Sequence, residues 1–262
     1  MARAARRAGR RSSACAAVGS CVMTARFNER ADTYSQAAVV QRQLAEWLAE
    51  WLEPAEMLAP LSALELGAGD GMFTRRLAPR TGRLVAIDSA PRMVERGVAQ
   101  LPHVQWRIGD AWQLAAEPVD RLYSASLLQW CEHPQQTLRR WRRLVKPGGR
   151  MLHGFYVSPT LAEWESLAGA TPAVVWHTSA EWGDFFRAAG WEVARQEVRR
   201  HSFQFDSALS LLRFFHRTGA ATPRGLGVGA LRRLLRQYER RFRVGPLGVV
   251  STWAFCRIEA TC

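Results

Sequence analysis

The sharpest local signals in the sequence are Glu65-Leu66-Gly67-Ala68-Gly69-Asp70-Gly71, Asp88 and Gly109-Asp110-Ala111, which could bind a ligand. Alternating glycines let a backbone turn tightly and approach a ligand closely. A carboxylate at Asp88 can accept two hydrogen bonds from vicinal ribose hydroxyls. A dinucleotide-binding fingerprint needs a glycine three residues after Gly69, and Met72 stands there, which weakens that reading. No acid–base constellation and no CxxC pair accompany the loop. Cys15, Cys21, Cys131, Cys256 and Cys262 are odd in number. They read as thiols of a reduced, cytoplasmic protein without a zinc site.

The elements that must position these residues follow from hydrophobic spacing. Leu44, Trp47, Leu48, Trp51 and Leu52 fall at helical intervals and predict an amphipathic helix ended by Pro54. Strands are predicted at 61–66, 83–87, 103–108, 122–128 and 151–157, with helices between them. The glycine loop follows the first strand, Asp88 closes the second and Gly109-Asp110 ends the third. Pro91 opens a helix from its first turn. Lys146-Pro147-Gly148-Gly149 reads as a helix stop after Leu138, Trp141 and Leu144. This alternation predicts an α/β fold with a doubly wound sheet. Beyond Val157 a sixth strand is expected at 191–203 and a seventh at 248–258. The expected organisation is an N-terminal helix and core over 23–157 and a lid insertion over 158–190. A core strand at 191–205, a helical lid over 206–245 and a final strand within 246–262 complete it.

Composition narrows the class. The chain has 262 residues, 48 % of them hydrophobic and 23 % charged, which excludes a wholly disordered chain. No apolar run is long enough for a membrane span. The net charge of +13 predicts an anionic partner. Nucleic acid ranks low, because no RNA-binding module is appended. Residues 1–22 carry Arg3, Arg6, Arg7, Arg10 and Arg11 and no acid, and are expected to be a disordered basic tail. An upstream start, with Met23 as the true one, explains them, as would a targeting peptide.

The glycine loop resembles motif I, E-x-G-x-G-x-G, of class I S-adenosylmethionine-dependent methyltransferases. Lys146 to Gly149 resembles the superfamily's L-x-P-G-G turn. No N-P-P-Y, D-P-P-Y or Pro-Cys segment follows the fourth strand, which argues against adenine, glutamine and cytosine methylation. Ser124 to Cys131 instead resembles the N-A-x-x-Q-W segment of malonyl-acyl-carrier-protein O-methyltransferases of biotin biosynthesis and of trans-aconitate methyltransferases. Gln129 and Trp130 match, and Ala125 stands where the family has Asn. Phe27 to Tyr34 with Gln41, Phe155, Thr160 to Glu163, Asp206 to Ala220 and Tyr238-Glu239-Arg240 favour the biotin family. The resemblance spans about residues 26–259. The family's Arg-Phe pair aligns with Val175-Trp176.

The resemblance implies a Rossmann-like sheet of seven strands, the last antiparallel, under a helical lid. It implies S-adenosylmethionine held by Glu65, Gly67, Gly69, Asp88, Ser89, Met93, Asp110 and Ala111, with no metal. Tyr34 would lie over the methyl and Trp130 would wall the acceptor. The acceptor would be a malonyl-type carboxylate on an acidic acyl carrier protein. An ionised carboxylate needs no general base, so alignment is the enzyme's work. Arg213 or Arg217 could replace the missing arginine, and Arg232, Arg236 and Arg240 present a docking face. A trans-aconitate-type enzyme and a relative of respiratory complex I assembly factors or hydroxylases stay open as alternatives.

Overall fold

The computed structural model describes residues 26–168, 174–220, 227–246 and 248–262. The expected tail, 1–22, lies outside the described residues. Two helices come first, α1 (Phe27–Ala37) and α2 (Val39–Ala49), then the short α3 (Ala55–Leu58). Next come β1 (Ser62–Leu66), α4 (Thr74–Leu77), β2 (Arg83–Asp88), α5 (Pro91–Gln100), β3 (Gln105–Ile108), β4 (Val119–Ala125), α6 (Pro134–Arg142) and β5 (Val145–Val157). The remainder is α7 (Ala162–Ala168), α8 (Ser179–Ala188), β6 (Glu192–Phe205), α9 (Ala208–Thr218), α10 (Val228–Arg241), β7 (Arg243–Val244) and β8 (Gly248–Thr261).

The strands form one sheet in the order β3-β2-β1-β4-β5-β8-β6. β1 to β5 pair in parallel, while β8 runs antiparallel to both β5 and β6. This is the expected doubly wound sheet. The two-residue β7, paired with β8 alone, is an addition to it. Strand order reverses between β1 and β4. In open sheets of this kind, ligands bind at the carboxyl ends of the strands beside that reversal.

Both faces of the sheet are covered, which is why β1 is almost wholly buried. Leu64 and Leu66 pack with Trp141, Phe155, Trp182 and Phe186 on the side of α6 and α8. Ala63, Tyr123 and Leu152 pack with Ala45 and Leu48 of α2 on the other. Each such large buried side chain stabilises the fold by about 1.5–3 kcal/mol. A third cluster joins Leu44 and Trp47 to Tyr156, Phe214, Tyr238, Trp253 and Phe255, tying α9 and α10 to α2 and β8. Arg257, 4 % exposed, lies over Trp47 and Trp51 at 4.2 Å from each ring centre. Its guanidinium also donates to Glu197 and Glu50, so β8 grips α2 from beneath.

Two local expectations are corrected. The fourth strand ends at Ala125, not Leu128, because Ser126 turns to φ +58 and Leu128–Trp130 forms a 3₁₀ turn. Lys146 to Gly149 is not the stop of α6, which already ends at Arg142. It bulges out within β5, between the pairs Val119↔Val145 and Arg121↔Arg150, with Gly148 at φ +75.

Candidate functional site

The glycine loop leaves the buried end of β1 beside the strand reversal. Gly67, Gly69 and Gly71 have φ of +65, +58 and +95, a region that side chains strain to enter. A Cβ on Gly67 would meet the Leu127 side chain at 2.8 Å, so this turn must be bare. A Cβ on Gly69 would meet nothing within 4 Å, which leaves an open face above the loop.

Backbone bonds lace the first three strand ends together. The Ala68 N–H donates to Ile87 O at 2.9 Å, and the Gly109 N–H donates to Asp88 O at 3.0 Å. Asp88 accepts the Gly69 N–H at 2.8 Å on one carboxylate oxygen and the Ala90 N–H at 2.8 Å on the other. Burial raises its carboxyl above the ordinary aspartate value despite these donors. Glu65, 1 % exposed, has Oε2 without a partner among the described residues. Burial pushes its carboxyl up to about 8. Ser89 is exposed just after Asp88, and Met93 is buried against Ala31 and Ala90, with Phe27 and Tyr34 packed on them. Asp110 is exposed and accepts the Trp112 N–H at 2.9 Å, while Ala111 is buried and its carbonyl accepts from Trp141 Nε1. The structure therefore brings Glu65, Gly67, Gly69 and Asp88 to one end of the sheet. An unpartnered buried acid, an open glycine face and a carboxylate fixed by backbone amides suit a cationic nucleoside such as S-adenosylmethionine.

Helix α1 crosses above this end. Ser35 Oγ donates to Asp70 Oδ2 in the glycine loop. Arg92 donates from its backbone to Asn28 Oδ1 at 3.0 Å, tying α1 to α5. On the other side the Arg26 N–H donates to Gly219 O at 3.2 Å, and Thr33 Oγ1 donates to Arg217 O at 2.9 Å. Gly219, at φ +72, closes α9 where a Cβ would strike the Arg26 backbone at 3.0 Å. Tyr34 is held well above its ordinary phenol value, first by burial and then by Asp70, Tyr156 and Asp88. The Phe27 ring stands edge-on to Tyr34 at 6.0 Å and to Trp130 at 5.9 Å. Tyr34 and Trp130 are thus bridged by one ring, 96 positions apart in sequence.

Sequence reasoning missed three participants. Spacing does not mark Ser35, because its partner Asp70 lies in a different motif. Ser126 and Tyr156, whose hydroxyls are 3.0 Å apart, belong to different strand ends. Met151–Val157 is buried without a break, so no periodicity marks Tyr156 or its partner. Arg213 and Arg217 are exposed on α9, and Arg232, Arg236 and Arg240 are exposed on α10. Val175 is 71 % exposed, and no contact joins it to the residues at the strand ends among the described residues.

A methyltransferase domain model matches residues 64–153. The YcgJ protein of Bacillus subtilis has a similar structure, with a TM-score of 0.63 over 84 % of this chain and 97 % of that one, at 15 % identity. The methyltransferase domain, the fold, the glycine loop and the acids Glu65 and Asp88 define a class I S-adenosylmethionine-dependent methyltransferase.

Relatives place it further. The malonyl-[acyl-carrier protein] O-methyltransferase of Methylococcus capsulatus is 30 % identical over 207 residues, 74 % of this chain and 74 % of that protein. The chain belongs to this O-methyltransferase family. It is also 30 % identical to the biotin biosynthesis bifunctional protein BioCD of Bordetella avium, over 82 % of the chain and 48 % of that protein. For the bifunctional protein BioHC of Cellvibrio japonicus the figures are 36 % identity, 47 % of the chain and 25 % of that protein. The chain thus spans a quarter to a half of these two longer relatives.

Proposed function

We propose that the protein methylates the free carboxylate of a malonyl-type thioester carried on an acyl carrier protein, as a step in biotin synthesis. One observation carries the reading: among the described residues, the acceptor end of the site has no group poised to take a proton. Burial keeps Tyr34 and Tyr156 protonated well above neutral pH. His153 is sealed in the core, where burial lowers its imidazole to about 3. Asp88 is engaged by two backbone amides, and Asp70 by Ser35. An acceptor that must lose a proton is poorly served here. A carboxylate, already ionised at neutral pH, is well served.

When bound, S-adenosylmethionine would supply an electrophilic methyl, and an ionised carboxylate could accept it with no proton to move. The chain's work is placement. Asp88 is positioned for ribose hydroxyls and Glu65 for the cofactor's ammonium. Tyr34, Phe27 and Trp130 exclude water over the reacting end. Arg213, Arg217, Arg232, Arg236 and Arg240 make no ion pair among the described residues and offer an acidic carrier a docking face. The family names of the relatives support this partner.

Intact-protein mass spectrometry of malonyl-acyl carrier protein, after incubation with enzyme and S-adenosylmethionine, tests the reading. Free malonyl-coenzyme A and trans-aconitate run in parallel. The expected result is one methyl gained on the carrier-bound species. Methylation of trans-aconitate alone would move the protein to small carboxylates.

A further inference from the structure

Ser126 is a non-glycine residue held at φ +58, immediately past the carboxyl end of β4. Side chains other than Gly, Asn and Asp pay for that conformation, and such strain gathers at functional sites. Its backbone is fixed on both sides. The Ser126 N–H donates to Gly154 O at 2.8 Å, and Gln129 Nε2 donates to Ser126 O at 2.7 Å. The strained turn serves to aim the Ser126 hydroxyl at Tyr156, whose OH is 3.0 Å away. Tyr156 is 6 % exposed, seated against Phe255 at the carboxyl end of β5.

Two hydroxyls in mutual contact hold two protons, and their bond uses one. Neither oxygen has another partner among the described residues. Tyrosine is the stronger donor, so the Tyr156 proton bridges to Ser126 and leaves the Ser126 O–H free. Hydrogen bonds in series strengthen one another in a low-dielectric site. The free donor follows β4 at the strand reversal, four residues before Trp130, and Tyr156 is near enough to help raise the Tyr34 phenol. A neutral donor here suits an anion without burying a second full charge beside the cofactor.

We infer that the Ser126–Tyr156 hydroxyl pair anchors one carboxylate oxygen of the methyl acceptor. The inference rests on the carboxylate reading above. It makes Ser126 and Tyr156 the residues that set acceptor affinity, with no part in holding the cofactor.

The test measures KM for the acceptor and Kd for S-adenosylmethionine in wild type, Ser126→Ala, Ser126→Gly and Tyr156→Phe. Malonyl-acyl carrier protein, malonyl-coenzyme A and trans-aconitate each serve as acceptor. Loss of one bond to a charged group predicts a KM raised about 10- to 100-fold in the two Ser126 variants and by less in Tyr156→Phe, which removes only the bond that orients and polarises Ser126, with cofactor Kd within about twofold of wild type throughout. Ser126→Gly separates function from structure. Glycine relieves the φ strain, so this variant should melt no lower than wild type while its KM still rises. A KM change below about threefold in both Ser126 variants, on whichever acceptor wild type methylates, overturns the anchor and leaves the carrier reading standing. If trans-aconitate alone turns over, the carrier reading fails and the same variants still decide the anchor. If wild type methylates none of the three, both fail.

Discussion

The two halves of the active end are built in different ways. The cofactor half is laced by backbone groups: Gly69, Ala68 and Gly109 N–H bonds join strand ends at most about twenty residues from their neighbours in sequence. The acceptor half is assembled by side chains from distant segments. Ser126 reaches Tyr156, 30 positions away, and the Phe27 ring bridges Tyr34 and Trp130, 96 positions apart. A backbone-built site tolerates little local change, because each glycine is demanded by φ. A side-chain-built site can change its ligand one residue at a time while the sheet stays the same. Cofactor use is therefore expected to be rigid and acceptor choice adjustable.

That difference explains what could be read in advance. The glycine loop and Asp88 are legible because their spacing is local and each residue type has one physical job. The parallel, doubly wound character of the sheet follows from alternation, its antiparallel last strand follows from the family resemblance, and its strand order is seen only in the structure. Ser126 was invisible in that sense. A serine at a strand end looks like any turn residue until its φ and its partner at position 156 are known. The bulge at Lys146 to Gly149 misled for a related reason. Pro and Gly mark a break in regular structure, but the break falls within β5, and sequence does not say which element it interrupts. Ser35 likewise gains meaning only when α1 is folded over the loop.

The largest effect should come from the cofactor half. Gly69→Val places a β-branched side chain at φ +58 and fills the open face, and Asp88→Ala removes the carboxylate bound by Gly69 and Ala90. Each should weaken S-adenosylmethionine binding by calorimetry about 100-fold or more. Wild-type affinity in both would break the assignment of a backbone-built cofactor site.

Charge reversal on α10 comes next. Replacing Arg232, Arg236 and Arg240 together by Glu should raise KM for a carrier-bound acceptor about 10- to 100-fold and lessen its salt dependence. KM for malonyl-coenzyme A and the cofactor Kd should barely move. Equal losses on both acceptors would place these arginines in the pocket instead of on a docking face.

A smaller effect is expected at the join between the halves. Ser35→Ala leaves the buried Asp70 without its hydroxyl donor, at a cost of about 1–3 kcal/mol. Because α1 is otherwise held at α5 and α9, the loss should appear as faster amide exchange in 27–37, with the sheet unaffected. Exchange that stays slow in α1 would show that Ser35 is not what holds it to the loop.

The finest distinction is a proton count. In the ligand-free protein burial pushes Glu65 up to about 8, against an ordinary glutamate value near 4.5, so at pH 7 it is mostly protonated. A folded-state value raised above the unfolded one means that this group favours folding at pH below about 4.5. That contribution declines as pH rises toward 8. Melting temperature should fall across that window, and Glu65→Gln should flatten the fall. If Glu65 pairs with the ammonium of S-adenosylmethionine, it must ionise on binding. Calorimetry at pH 7 in buffers of different ionisation enthalpy should then report release of roughly one proton, and close to none in Glu65→Gln. Affinity should strengthen as pH approaches 8, by less than about tenfold per pH unit. Binding without proton release would mean that Glu65 stays neutral under the cofactor. The ammonium would then be met by backbone carbonyls alone, and the cofactor half would be more completely backbone-built than its acids suggest.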